Sequence, residues 1–122
     1  MAWEVEFTDQ FEEWWSDLGE QQQEYMDAAI QLLQDKGPAL GRPLVDTIKT
    51  SIHANMKELR ISKGGDLRVL FAFGPTRKAI LLCGGDKQGD WDRWYNDNVP
   101  FADGLFNRDL AELEKEAKDG TP

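Results

Sequence analysis

Between Met56 and Cys83, three apolar segments are joined by connections of no more than five residues. Met56–Ile61 runs into the turn Lys63-Gly64-Gly65-Asp66, Leu67–Phe73 follows, and Gly74-Pro75-Thr76-Arg77 leads into Lys78–Cys83. In the second segment Leu67, Val69, Phe71 and Phe73 share one face, while Arg68, Leu70 and Ala72 take the other. Alternation of this kind, closed by glycine-rich turns, predicts a meander of three antiparallel strands. The third segment is apolar enough to be central, and Gly84-Gly85 is expected to close it.

The flanking sequence supplies helices. Trp3, Val5 and Phe7 alternate with Glu4 and Glu6, which predicts a half-buried strand at or beside an edge of the sheet. Thr8 or Asp9 can cap a helix carrying Phe11, Trp14, Trp15 and Leu18 on one stripe, with Gly19 as its stop. A second helix carries Tyr25, Met26, Ala29, Ile30 and Leu33 and ends at Gly37-Pro38. Residues 38–55 read as a loop. A helix at Trp91–Asn98 is expected to stop at Pro100, and a last helix runs over about Asp103–Ala117. The order β-α-α-β-β-β-α-α defines an α+β class: an N-terminal strand and helical hairpin packed on an antiparallel β-sheet meander, with C-terminal helices. One domain is expected over residues 1–117, with 118–122 as a frayed tail. The helical hairpin covers one face of the sheet, so the other is expected to be at least partly open and to carry the function.

The formal net charge is −9, unevenly spread. Residues 1–36 hold ten acidic residues and one basic, residues 42–95 hold ten basic and six acidic, and residues 96–122 hold seven acidic and three basic. Exposed charges act over roughly 8 Å at physiological salt, so this segregation matters more than the sum. It leaves two readings: a basic working face, or two solvated acidic helical regions around an ordinary sheet. No apolar run reaches the ~20 residues of a membrane helix, so no membrane partner is expected. A single cysteine leaves no intrachain disulfide, and a cytoplasmic address is the default expectation.

Several chemical signatures fail on spacing. Gly84-Gly85-Asp86-Lys87-Gln88-Gly89-Asp90 lacks the Gly-Lys-Ser/Thr ending of a nucleotide loop. Asp86, Asp90 and Asp92 do not match a calcium loop, and carboxylates there suit a helix start. His53 is the only histidine, and Cys83 sits in an apolar strand as a small buried group. No metal and no cofactor are expected. The basic residues are more informative. Arg68 points away from the helix-covered face, opposite Phe11, Trp14 and Leu33. Arg60 joins it if the strands pair across the Lys63–Asp66 turn, and Lys87 follows the next strand. Trp91, Trp94 and Tyr95 lie on the following helix beside Arg93. Cations for phosphate and rings for stacked bases are what a single-stranded RNA site requires; the competing reading is solvated cations over core tryptophans.

Met56-Lys57-Glu58-Leu59-Arg60-Ile61, Gly64-Gly65 and Leu67-Arg68-Val69-Leu70-Phe71-Ala72-Phe73 together resemble the core of RelE/ParE-superfamily toxins, in particular the HigB-like, phage-derived subgroup. Gly85-Asp86-Lys87, Trp91-Asp92-Arg93-Trp94-Tyr95 and the tail through Leu113 strengthen the likeness, which spans about residues 2–114. The resemblance implies the toxin of a bacterial type II toxin–antitoxin module: a metal-independent endoribonuclease that cleaves mRNA on the ribosome, neutralised by a helix-turn-helix (HigA-like) antitoxin. By position it implies catalytic roles for Arg60, Arg68, Lys87 and Tyr95, with Lys57, Lys63, Arg93 and Trp94 as RNA-binding residues. Glu58 departs from the family, standing where some members carry a catalytic lysine, and the histidines of some HigB toxins have no counterpart. The alternative is a non-catalytic ParE-like interaction protein (a gyrase inhibitor) or an inert member.

Overall fold

The structure, a computed structural model, describes residues 2–63, 65–86 and 90–119. Its elements are β1 (Glu4–Phe7), α1 (Asp9–Ser16), α2 (Glu20–Lys36), a 3-10 turn (Gly37–Ala39), β2 (Val45–Thr47), β3 (Met56–Ile61), β4 (Leu67–Phe73), β5 (Lys78–Asp86) and α3 (Trp91–Asp119). The five strands lie in the order β1-β5-β4-β3-β2. β3, β4 and β5 form the expected antiparallel meander, in which Arg60 stands opposite Arg68 and Arg68 opposite Gly85. β1 is an edge strand parallel to β5.

Thr8 joins the first strand to the first helix. Its hydroxyl accepts from the Phe11 N–H, capping α1, and donates to the Leu82 carbonyl at 2.6 Å. Thr8→Ala should cost about 1–2 kcal/mol, the usual loss for a side-chain cap. Thr8→Ser should restore most of it in urea unfolding, because serine keeps both hydrogen bonds.

Two apolar layers sandwich the sheet. On one side Phe11, Met26, Ala29 and Leu33 of the hairpin pack on Leu59, Val69, Phe71 and Leu81. On the other, Val99, Ala102, Leu105 and Phe106 of α3 pack on Met56, Leu70, Ala72 and Leu82. The second face is therefore substantially covered, contrary to the expectation of an open one. The pattern of Leu70, Ala72, Ile80 and Leu82, all buried, reflects strands covered on both sides.

Four further differences have identifiable causes. First, α3 is a single helix with Pro100 inside it. An internal proline costs roughly 3 kcal/mol, but Val99, Leu105 and Phe106 on either side are all buried on one sheet face. Burying each such side chain stabilises by roughly 1.5–3 kcal/mol, which outweighs the break. Second, β5 continues through Gly84 and Gly85 to Asp86. The two glycines make room inside the strand rather than end it: a Cβ on Gly84 would lie 2.3 Å from the Trp14 ring, and one on Gly85 2.3 Å from Trp94 Nε1. Third, the 38–55 segment contains β2, three residues paired with β3 and too short to show a period. Fourth, α1 ends at Ser16 and Gly19 instead caps the start of α2. Lys118 and Asp119 continue α3, and Lys118 lies 3.9 Å from Glu114.

The 48–55 loop is tied to α3 by Asp103, a buried carboxylate that accepts from the Ser51 hydroxyl at 2.5 Å and the Ile52 N–H at 3.3 Å. The His53 ring bonds Asn107 rather than Ser51, so these residues brace the loop and form no nucleophilic triad. Among the described residues no helix is long and apolar enough to cross a membrane.

Candidate functional site

The register of β3 and β4 brings Glu58, Arg60 and Arg68 to the α3 side of the sheet. Trp91, Trp94 and Tyr95 recur at i, i+3 and i+4 on the first turns of α3 and therefore share a face. Their rings pack on one another with centroids 5.2–6.1 Å apart.

A row of hydrogen bonds joins strand to helix. Arg60 Nε donates to Glu58 Oε1 at 2.6 Å, and the Tyr95 hydroxyl donates to Glu58 Oε2 at 2.5 Å. An Arg68 terminal N–H donates in turn to the Tyr95 hydroxyl oxygen. The Arg68 guanidinium lies 4.5 Å from the Trp91 ring centroid and 5.8 Å from that of Tyr95, within cation–π range. Glu58 is 2% exposed, so both of its oxygens are committed to this row. The Arg68 side chain is 17% exposed, held under the aromatic rings rather than open to solvent, whereas Arg60 is 44% exposed. Arg68 Nε is buried, 3.8 Å from Asp66 Oδ1, with no hydrogen-bond partner among the described residues.

The electrostatics follow from these partners. Burial, with the hydrogen bond to Glu58, raises the pKa of Tyr95, and the nearby Arg68 opposes the shift only in part. Tyr95 is therefore a phenol at neutral pH, a proton donor and not a ready base. The Glu58 hydrogen bond holds Arg60 still more firmly in its charged form.

The remaining sequence-derived candidates are dispersed. Lys57 has the parity of Leu59 and Ile61, on the opposite side of the sheet from Arg60, and its ammonium donates to Thr47 at 2.9 Å. Lys63 is exposed beside Arg60 and Arg68 at the rim of a groove of about 560 Å³ floored by Tyr25, Leu32 and Leu44. Arg93 is exposed on α3. Trp94 is half-buried against Gly85, so one face of its indole is occupied by the strand. Lys87 lies outside the described residues. Of the cluster, Glu58 was absent from the candidate set, and Trp91 was named only among the rings beside Arg93 and given no role. The parity that places Arg60 also places Glu58, and Trp91 stands one turn before Tyr95, so both signals were in the sequence.

Cys83 is buried beside this layer, and burial pushes its thiol up to about 12. A raised value means that the folded protein holds the proton more tightly. That contribution is complete below the ordinary value of 9.0 and is lost as pH climbs toward 12. The stability advantage of wild type over Cys83→Ala in urea unfolding should shrink by about 2 kcal/mol between pH 7.5 and pH 10.5. An unchanged difference would place the thiol in contact with water.

The sheet, the hairpin on one face and the long helix on the other define a RelE-like α+β fold. It is shared by the isolated Escherichia coli RelE toxin, with a TM-score of 0.60 and 12% identity over 81% of this chain and 97% of that one. The RelE of an archaeal RelE–RelB complex from Pyrococcus horikoshii aligns with a TM-score of 0.58 and 16% identity, over 74% of this chain and 100% of that one. The family described as phage derived protein Gp49-like (DUF891) matches residues 13–107, and the chain belongs to that family. Two Mycobacterium tuberculosis proteins named as candidate toxins are similar in sequence. HigB2 is 47% identical over 103 residues, 83% of this chain, and HigB3 is 51% identical over 94 residues, 77% of this chain. The chain spans about half of HigB2 (51%) and 82% of HigB3.

Proposed function

We propose that this chain is the toxin of a bacterial type II toxin–antitoxin module, and that it acts as a metal-independent endoribonuclease on mRNA held in the ribosome. The observation that carries this reading is the row Arg60–Glu58–Tyr95–Arg68, in which one buried carboxylate holds a guanidinium and a phenol and the phenol in turn holds a second guanidinium. The family membership and the HigB relatives support it.

The reaction draws on these side chains, the RNA itself and solvent water. The 2′-hydroxyl attacks the adjacent phosphorus as its proton passes to water, the bond to the 5′-oxygen breaks, and a 2′,3′-cyclic phosphate remains; the 5′-oxygen takes the Tyr95 proton, which water then restores. Charge builds on the non-bridging oxygens, where fixed guanidinium groups act most strongly. Arg68 is pre-ordered by Trp91 and Tyr95, and Arg60 by Glu58, so little side-chain freedom is lost at the moment of reaction. Tyr95, kept protonated, is suited to deliver a proton to the leaving oxygen. Lys87 is assigned by resemblance to the same site.

Dependence on the ribosome follows from charge. Glu58 offsets Arg60 and Asp66 stands by Arg68, while the whole chain carries −9. Affinity for free RNA scales with the number of uncompensated cations that meet phosphates. The described site has few, so a scaffold that positions the mRNA supplies what attraction does not.

Induced expression in bacteria with mapping of mRNA 5′ ends tests the reading. New ends within translated messages are expected. Growth arrest with intact mRNA and altered DNA supercoiling would instead establish the gyrase-inhibitor alternative. Glu58→Gln refines the test: the amide NH2 that replaces one carboxylate oxygen donates and cannot accept, so either the Arg60 or the Tyr95 bond is lost and cleavage should fall about tenfold. Stability should fall by about 1–3 kcal/mol, the cost of a buried partner lost. Wild-type cleavage in Glu58→Gln would remove the row from the mechanism.

A further inference from the structure

The acidic N-terminal region carries a second surface, far in the sheet from Arg60. β1 is hydrogen-bonded to β5 on one side only. The N–H groups of Glu4 and Thr8 donate toward β5, to Arg77 and Leu81, so by alternation those of Val5 and Phe7 face the free edge. Beside that edge lies a groove of about 340 Å³, floored by Val5, Phe7, Phe11, Trp15, Ile30 and Leu81. Phe7 is 55% exposed, although its ring packs on Phe11 with centroids 6.1 Å apart. Glu12 of α1 and Asp27 of α2 also line the groove, both exposed, and neither meets a cation among the described residues.

From these features we infer that β1 and its groove are a docking edge for an extended, basic and apolar segment of the protein that neutralises this chain. The inference rests on the toxin reading above. Strand addition satisfies the outward N–H and C=O groups of Val5 and Phe7. In an added strand alternate residues face the helices, so one large apolar side chain enters the groove while lysines or arginines meet Glu12 and Asp27. The first 36 residues, with ten acidic residues and one basic, would steer such a segment inward. The same charge disfavours the other occupants. Phosphate is repelled, and two β1 edges paired with each other would bring Glu4 and Glu6 of both copies together.

A synthetic peptide, acetyl-Thr-Lys-Thr-Phe-Thr-Lys-Thr-amide, which places one phenylalanine and two lysines on the same face of a strand, is a suitable probe. Calorimetry should detect binding to the full chain that weakens with salt, and NMR hydrogen exchange should slow at the Val5 and Phe7 amides. The double variant Glu12→Lys with Asp27→Lys, both at exposed positions, should weaken binding at least tenfold. A peptide with glutamate in place of lysine should not bind. Unchanged exchange at Val5 and Phe7, equal affinity of the double variant, or equal binding of the glutamate peptide would each overturn the docking edge. Growth arrest on induction reports separately: its absence in wild type overturns the toxin reading and leaves the peptide result standing on its own.

Discussion

Cells induced to make the Arg68→Ala protein should keep growing, with their messages uncut. Among the described residues Arg68 is the cation that meets both Tyr95 and Trp91, through its bond to the one and its stacking under the other. Removing a fixed donor from a site where negative charge develops costs about 10²–10³ in rate. The side chain is only 17% exposed, so alanine also vacates packing space, and the melting temperature must be measured alongside. Arg68→Lys separates the two effects. It keeps a positive charge and much of the aliphatic stem, but loses the planar fork that bonds Tyr95 and stacks under Trp91. Lysine should therefore restore stability and leave most of the cleavage absent. Full cleavage by either folded variant would exclude Arg68 from the site.

Gly85→Ala should have a large structural effect where the strand adjoins the site. The new Cβ would sit 2.3 Å from Trp94 Nε1 and 2.6 Å from Cε2, distances that no packed pair of atoms sustains. Overpacking of this order costs typically 1–3 kcal/mol, and roughly 4 °C of melting temperature accompanies each kcal/mol in a domain of this size. The damage should extend to function, because Trp94 packs edge-on against both Trp91 and Tyr95. Displacing it shifts the turn of α3 that supplies the phenol. Combining Gly85→Ala with Trp94→Ala opens the space again, so the double variant should lose less stability than the two single losses added together. Strict additivity would show that the methyl group and the indole do not meet.

The meander was legible because β-strand alternation is a local property. Leu67, Val69, Phe71 and Phe73 announce one face and Arg68 the other before any partner is known. The α1 cap at Thr8 and the hairpin stripe were legible for the same reason. Pro100 misled because a local breaker was weighed without the burial of Val99, Leu105 and Phe106 that overrides it. Gly84 and Gly85 misled in the opposite direction. Read locally they end a strand, yet they are required inside it by two tryptophans from separate helices, one 70 residues upstream and one 9 downstream.

The sequence by itself determined the α+β class, the pairing of the three meander strands and the side of the sheet on which Arg60 and Arg68 lie, since parity and turn length are written in neighbouring residues. Only the tertiary structure decided how accessible those arginines are and what holds them. α3 closes over the face that looked open, Glu58 takes Arg60 and Tyr95 on its two oxygens, and Trp91 covers Arg68. The contacts between strand and helix join residues 23–37 positions apart, and no periodicity encodes a distance between segments. It is set when two apolar faces, each legible alone, find the one packing that buries both.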